Sequence, residues 1–142
     1  MKIGKYVFKR HEIKYMLTPS QYKTVLKEIG EHLSVDEYGK TTIQSLYYDT
    51  DTWRLIRDSI ERPFYKEKLR ARSYGLAKPD GKVFLELKKK CDHVVFKRRI
   101  CLKEKELAPL INMGVNADGG QIEKEIRYFC RFYGGLKPSM LL

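Results

Sequence analysis

Apolar and polar positions alternate with a period of two along three consecutive stretches, Phe64 to Tyr74, Lys82 to Lys90 and Val94 to Lys103. Residues two apart in a strand share a face. One face therefore carries Leu69 and Ala71, then Val83, Leu85 and Leu87, then Phe96 and Ile100. The opposite face carries Arg70 and Arg72, then Glu86, Lys88 and Lys90, then Lys97 and Arg99. Lys78-Pro79-Asp80-Gly81 is a strong hairpin signal between the first two stretches, and Cys91-Asp92-His93 turns the second into the third. The pattern predicts three successive strands with one apolar and one cationic face.

Other elements follow from the same reading. Val7 to Tyr15 alternates as a strand, with Arg10, Glu12 and Lys14 on one face and His11, Ile13 and Tyr15 on the other. Thr18-Pro19-Ser20-Gln21 starts a helix, with a Thr cap, Pro in the first turn and Gln three residues on. That helix is predicted to run to about His32, with Tyr22, Val25, Leu26 and Ile29 at helical spacing. Thr42 to Tyr48 reads as a strand, and Asp49-Thr50-Asp51 caps a short helix over Thr52 to Ser59. Glu104 to Ile111 and Gln121 to Tyr133 read as helices, the second ended by Gly134-Gly135. A further apolar stretch, Leu136 to Leu142, begins a strand. No internal boundary or repeat stands out. Residues 1–142 are expected to form one domain, truncated on its C-terminal side.

Charge sharpens the picture. Residues 64–103 hold thirteen Lys or Arg against four acids, which is nine of the chain's eleven net positive charges. A concentration of that kind points to a specific polyanion site rather than a solubility device. No apolar run approaches the roughly 18–20 residues needed to cross a membrane as a helix. The N-terminus lacks the apolar core of a signal peptide. Cys91, Cys101 and Cys130 form no CxxC pair, so reduced thiols and a cytoplasmic location are expected.

On an open sheet the charged faces would be solvated and would attract a ligand weakly. Curled into a barrel, they would converge on the interior. A cationic interior is costly unless a dense anion fills it. Arginine supplies forked donors to phosphate oxygens and lysine supplies point charges. The minority carboxylates would suit a divalent metal carried with phosphates. Phosphoryl transfer asks for little beyond positioning and charge neutralisation.

Phe8-Lys9-Arg10-His11-Glu12-Ile13-Lys14-Tyr15, Ser45-Leu46-Tyr47-Tyr48-Asp49-Thr50, Lys68-Leu69-Arg70-Ala71-Arg72-Ser73-Tyr74-Gly75, Phe84-Leu85-Glu86-Leu87-Lys88 and Phe96-Lys97-Arg98-Arg99 occur in this order. Together they resemble the VTC domain, the polyphosphate polymerase branch of the triphosphate tunnel metalloenzymes (the CYTH-like superfamily). The resemblance implies an α+β fold whose antiparallel sheet curls into a β-tunnel flanked by helices. It implies binding of ATP, triphosphate or polyphosphate with Mg²⁺ or Mn²⁺, and transfer of the ATP γ-phosphate to a growing phosphate chain. By motif, Lys14, Arg70, Arg72 and Lys88 match catalytic and phosphate-binding positions, and Lys97 and Arg99 match a further phosphate-binding pair. Glu12 and Glu86 are the candidate metal carboxylates. Two departures stand out. Arg10 sits where a further Glu would stand, and the family's tunnel has about eight strands where this chain offers five or six. A half-tunnel with open strand edges is expected, and such edges could pair with another copy.

Plainer readings compete at each position. Arg70 and Arg72 could be a solvated face paired to Glu67 or Glu86, and only one lysine of Lys88-Lys89-Lys90 is expected to face a ligand. Glu86 serves more readily as a charge partner than as a metal ligand. At the level of function, a polyphosphate or inositol-phosphate binding module without turnover and a triphosphate hydrolase compete with the polymerase. Nucleic acid is disfavoured, because the charged faces carry few aromatics and no RNP-like motif occurs.

Overall fold

The computed structural model describes residues 15–61, 63–92, 94–113 and 120–142. These fall into two compact units that divide after Gly39. The predicted strand at 7–15 lies, apart from Tyr15, outside the described residues, and with it Glu12 and Lys14.

In the first unit, helix α1 spans Pro19–Ile29 and continues as one 3₁₀ turn over Gly30–His32. Its start is the predicted capping box. The Gln21 backbone N–H donates to Thr18 Oγ1 at 3.3 Å, and the Thr18 N–H donates to Gln21 Oε1 at 2.8 Å.

The second unit is a five-stranded sheet backed by three helices. Strands β1 (Ile43–Asp49), β2 (Tyr65–Tyr74), β3 (Lys82–Cys91) and β4 (Val94–Lys103) form an antiparallel meander. Strand β5 (Lys137–Leu141) pairs antiparallel with the outer side of β1, giving the order β4-β3-β2-β1-β5. The sheet is open. Helices α2 (Arg54–Glu61), α3 (Leu107–Met113) and α4 (Gln121–Tyr133) complete the unit.

The caps explain where the elements begin and end. Asp49, the last residue of β1, caps α2: Oδ1 accepts from the Leu55 N–H and Oδ2 from the Ile56 N–H, both at 2.9 Å. A buried carboxylate at that end also favours the helix dipole. In the β2–β3 turn the Gly81 N–H bonds the Lys78 carbonyl at 2.8 Å. A Cβ on Gly81 would meet that same carbonyl oxygen at 3.0 Å, so a side chain there fits only if the turn shifts by a few tenths of an ångström. Gly134, at φ +59°, ends α4 in a conformation side chains rarely adopt.

The strand alternation read from the sequence is realised. Leu69 and Ala71 of β2 and Val83, Leu85 and Leu87 of β3 are buried beneath Leu55 of α2, Leu107, Leu110 and Ile111 of α3, and Ile126, Phe129 and Cys130 of α4. At about 25 cal/mol per Å² of apolar surface, this shared core is the main force flattening the helices onto one face. On β4 the same face has Ile100 and Leu102 against the core, while Phe96 at the far end is half exposed. Arg98, also on that face, reaches Glu125 of α4 at 3.1 Å. All three helices contribute to this one core, which leaves the cationic side chains together on the other side of the sheet.

Candidate functional site

Register assembles the cationic face. Across the sheet, Tyr47 of β1 stands opposite Arg70 of β2, Arg70 opposite Glu86 of β3, and Glu86 opposite Arg99 of β4. One level along, Lys68, Lys88 and Lys97 are aligned. The level on the other side aligns Ser45, Arg72, Phe84 and Cys101. Successive levels are about 7 Å apart, twice the strand rise.

Glu86 is the hub. Its side chain is 1% exposed, although it lies on the charged face. Oε2 accepts from Arg70 Nε at 2.7 Å. Oε1 accepts from Arg99 Nε at 2.7 Å and faces Lys97 Nζ at 3.0 Å. Three cations thus converge on one carboxylate and leave the cluster with two net positive charges. Burial by itself would raise the Glu86 pKa. The hydrogen bonds from Lys97, Arg70 and Arg99 outweigh it and hold the carboxyl at about 2.

Tyrosines fix the outer arms of the arginines. Arg70 Nη1 donates to the Tyr47 hydroxyl at 3.1 Å, and Arg99 Nη2 donates to the Tyr74 hydroxyl at 3.4 Å. The Arg99 guanidinium also lies 4.3 Å from the centre of the Phe84 ring, a cation–π distance. Among the described residues, Nε of Arg72 is buried and makes no hydrogen bond. An orphaned charged donor of that kind is costly unless a ligand approaches.

Of the residues predicted for the site, Arg70, Arg72, Glu86, Lys88, Lys97 and Arg99 share this face. Glu12 and Lys14 lie outside the described residues. Sequence reading overlooked Tyr47, Tyr74 and Phe84. For two of them the signal was present: Tyr74 is two residues beyond Arg72, and Phe84 two before Glu86, so strand alternation puts both on the cationic face. Tyr47 joins through register alone.

The opposite face has its own polar cluster. Glu67 of β2, buried, accepts from the Tyr65 hydroxyl at 2.6 Å and the Tyr133 hydroxyl at 3.1 Å, with Lys89 Nζ at 3.5 Å. Burial raises the Tyr133 pKa to about 12, and the neighbouring Glu67 charge adds to it.

The donor set fits anions better than metal. Both Glu86 oxygens are engaged by cationic side chains. Among the described residues, no three acidic, histidine or cysteine side chains gather where they could hold a metal ion.

Comparison with solved structures gives the class. The crystal structure of a protein described provisionally as an adenylate cyclase, from Bacillus halodurans, superposes with a TM-score of 0.54 at 15% identity. The match covers 88% of this chain and 58% of that one, so the chain spans 58% of that protein's length. At this identity the likeness is one of fold. No curated protein matches the chain. The family follows from the sequence: the VTC domain model matches residues 9–140, and the chain belongs to the VTC domain family. This is a family of triphosphate binding and phosphoryl transfer that generally uses divalent metals.

Proposed function

We propose that the cationic sheet face holds a linear phosphate chain, the triphosphate of ATP or polyphosphate, as one wall of a tunnel. We propose further that the protein transfers the ATP γ-phosphate to a growing polyphosphate chain. Arg70, Arg72 and Arg99 would grip phosphate oxygens through forked donors, and Lys88 and Lys97 would supply point charge. Lys14, read by motif, would join them. The observation that carries this reading is the convergence of Arg70, Lys97 and Arg99 on the single buried carboxylate of Glu86. Three cations held at fixed positions around one anion form a preorganised surface with charge to spare.

What these residues do chemically is bind, orient and neutralise. Charge on the transferred group spreads over its outer oxygens, and fixed donors lower the barrier by meeting it without reorganising. Glu86 spaces the donors and keeps them from repelling one another. The test is incubation of the protein with ATP and Mn²⁺, followed by detection of long phosphate chains. Polymer formation that Arg70→Ala and Lys88→Ala each reduce by at least tenfold supports the proposal. No polymer, and no effect of either change on nucleotide turnover, removes it.

A second reading is a module that binds polyphosphate without turnover. The complete pairing of Glu86 with cations favours it, since that carboxylate is committed to shaping an anion site. Tight tripolyphosphate binding with no metal-dependent turnover would select it. A cytoplasmic location, and self-association through the outer edges of β4 and β5, belong to the same proposal. Sedimentation at rising concentration tests the latter. Among the described residues no helix is long and apolar enough to cross a membrane.

A further inference from the structure

The cationic face is not symmetric along the strands. At one end the aligned residues are Lys66, Lys90 and Val95, then Lys68, Lys88 and Lys97. At the other end stand Phe84 and Cys101, then Ile43 opposite Tyr74 and Lys82 opposite Lys103. Tyr74 and Phe84 meet edge to face with ring centres 5.8 Å apart. The Arg99 guanidinium covers the Phe84 ring and also donates to the Tyr74 hydroxyl. These contacts fix the Tyr74 ring in place, yet the residue stays 51% exposed, and Ile43 beside it is 46% exposed. Both lie on the side of the sheet away from the helix-covered core, so core packing does not account for them.

From this we infer that the Tyr74 end of the face is a stacking platform for the base of a nucleoside triphosphate, with the phosphates running from Arg72 towards Lys88 and Lys97. The inference rests on the phosphate-binding reading above and adds a polarity and a second recognition element to it. A planar base stacks on an exposed aromatic ring whatever its hydrogen-bonding edge, so the platform favours nucleotides over bare phosphate chains without demanding adenine. The opposite end, richer in lysines, suits the charged tail. The two ends thus sort the two ends of one ligand. Phe84, clamped under Arg99, serves as the buttress that holds Tyr74, and Arg99 links the platform to the phosphate grip through Glu86.

Calorimetric titration of the full chain with ATP and with inorganic tripolyphosphate, at one salt concentration, tests this. Tyr74→Leu removes the ring and leaves Arg70, Arg72, Lys88, Lys97 and Arg99 in the sequence. The expected result is a loss of ATP affinity of about five- to tenfold, the lower range for one stacked base, with a far smaller loss for tripolyphosphate. Tyr74→Phe keeps the ring without the hydroxyl and should recover most of the ATP affinity. Tripolyphosphate binding also reports that each variant is folded. Equal losses for both ligands, or ATP affinity untouched by Tyr74→Leu, would overturn the inference while leaving the phosphate site standing. A wild-type chain that binds neither ligand would overturn both.

Discussion

Two glutamates on neighbouring strands face opposite sides of the same sheet, and both are buried. Glu86 lies on the cationic side and is held by Arg70, Arg99 and Lys97. Glu67 lies on the helix-covered side and is held chiefly by the hydroxyls of Tyr65 and Tyr133. The difference is one of surplus. Around Glu67 neutral donors satisfy a carboxylate that joins β2 to α4, and Lys89 offers roughly one balancing charge. Around Glu86 the cations outnumber the anion three to one. A buried carboxylate with neutral donors is a structural polar contact. One with excess cations is a spacer for charges aimed at something else.

The contrast can be broken most sharply at Glu86. Glu86→Ala leaves three partly exposed cations facing each other and is expected to destabilise the fold, by less than the roughly 3–5 kcal/mol of a fully buried pair because solvent screens them. Tripolyphosphate should then raise the melting temperature of this variant more than that of the wild type, because the ligand replaces the missing anion. Equal shifts in both proteins would mean that Glu86 is not a stand-in for ligand charge.

Acid makes the same point without mutation. The Glu86 carboxyl is held at about 2 in the fold, against an ordinary value of 4.5. A depressed folded-state pKa gives stability that is complete above about pH 4.5 and is lost as pH falls towards 2. The loss is on the order of 3 kcal/mol. Thermal melts from pH 6 to pH 2 should show a steepening below pH 4.5 that Glu86→Gln flattens. The same flattening in Glu67→Gln instead would place the depressed carboxyl on the wrong face.

Smaller effects complete the series. Glu67→Gln keeps the shape and weakens two tyrosine hydrogen bonds, at an expected cost of about 1–3 kcal/mol, with tripolyphosphate affinity within twofold of wild type. Asp80, which pairs with Lys103 and Lys105 at the exposed β2–β3 turn, should matter least. Asp80→Ala is expected to shift stability by less than about 0.5 kcal/mol in denaturant unfolding.

Much of this sheet was legible beforehand because period-two patterning is a local signal. Leu69, Ala71, Val83, Leu85 and Leu87 against Arg70, Arg72, Glu86 and Lys88 fixed strands, faces and hairpins from spacing alone. Glu86 could be read as a charge partner, but its three simultaneous contacts depend on cross-strand register and side-chain reach, which spacing does not encode. The Glu67 network was hidden for the same reason: Tyr133 is sixty-six residues away and arrives only when α4 packs on the sheet. Arg98 shows the limit in reverse. It reads as one more cation in a basic run, yet it faces the helices and pairs with Glu125. Capping, a local matter, was legible as a group of residues, Asp49 to Asp51, and the structure uses Thr50 for the Arg54 N–H and Asp49 for those of Leu55 and Ile56.

Arg98 also supplies the control for the most direct test of the phosphate face. Nitrogen-15 spectra of the arginine Nε–H groups can be followed while tripolyphosphate is added to the full chain. Signals of Arg70, Arg72 and Arg99 should move together and saturate, while that of Arg98 stays in place. No movement, or equal movement of Arg98 and the other three, would contradict a phosphate site on the cationic face.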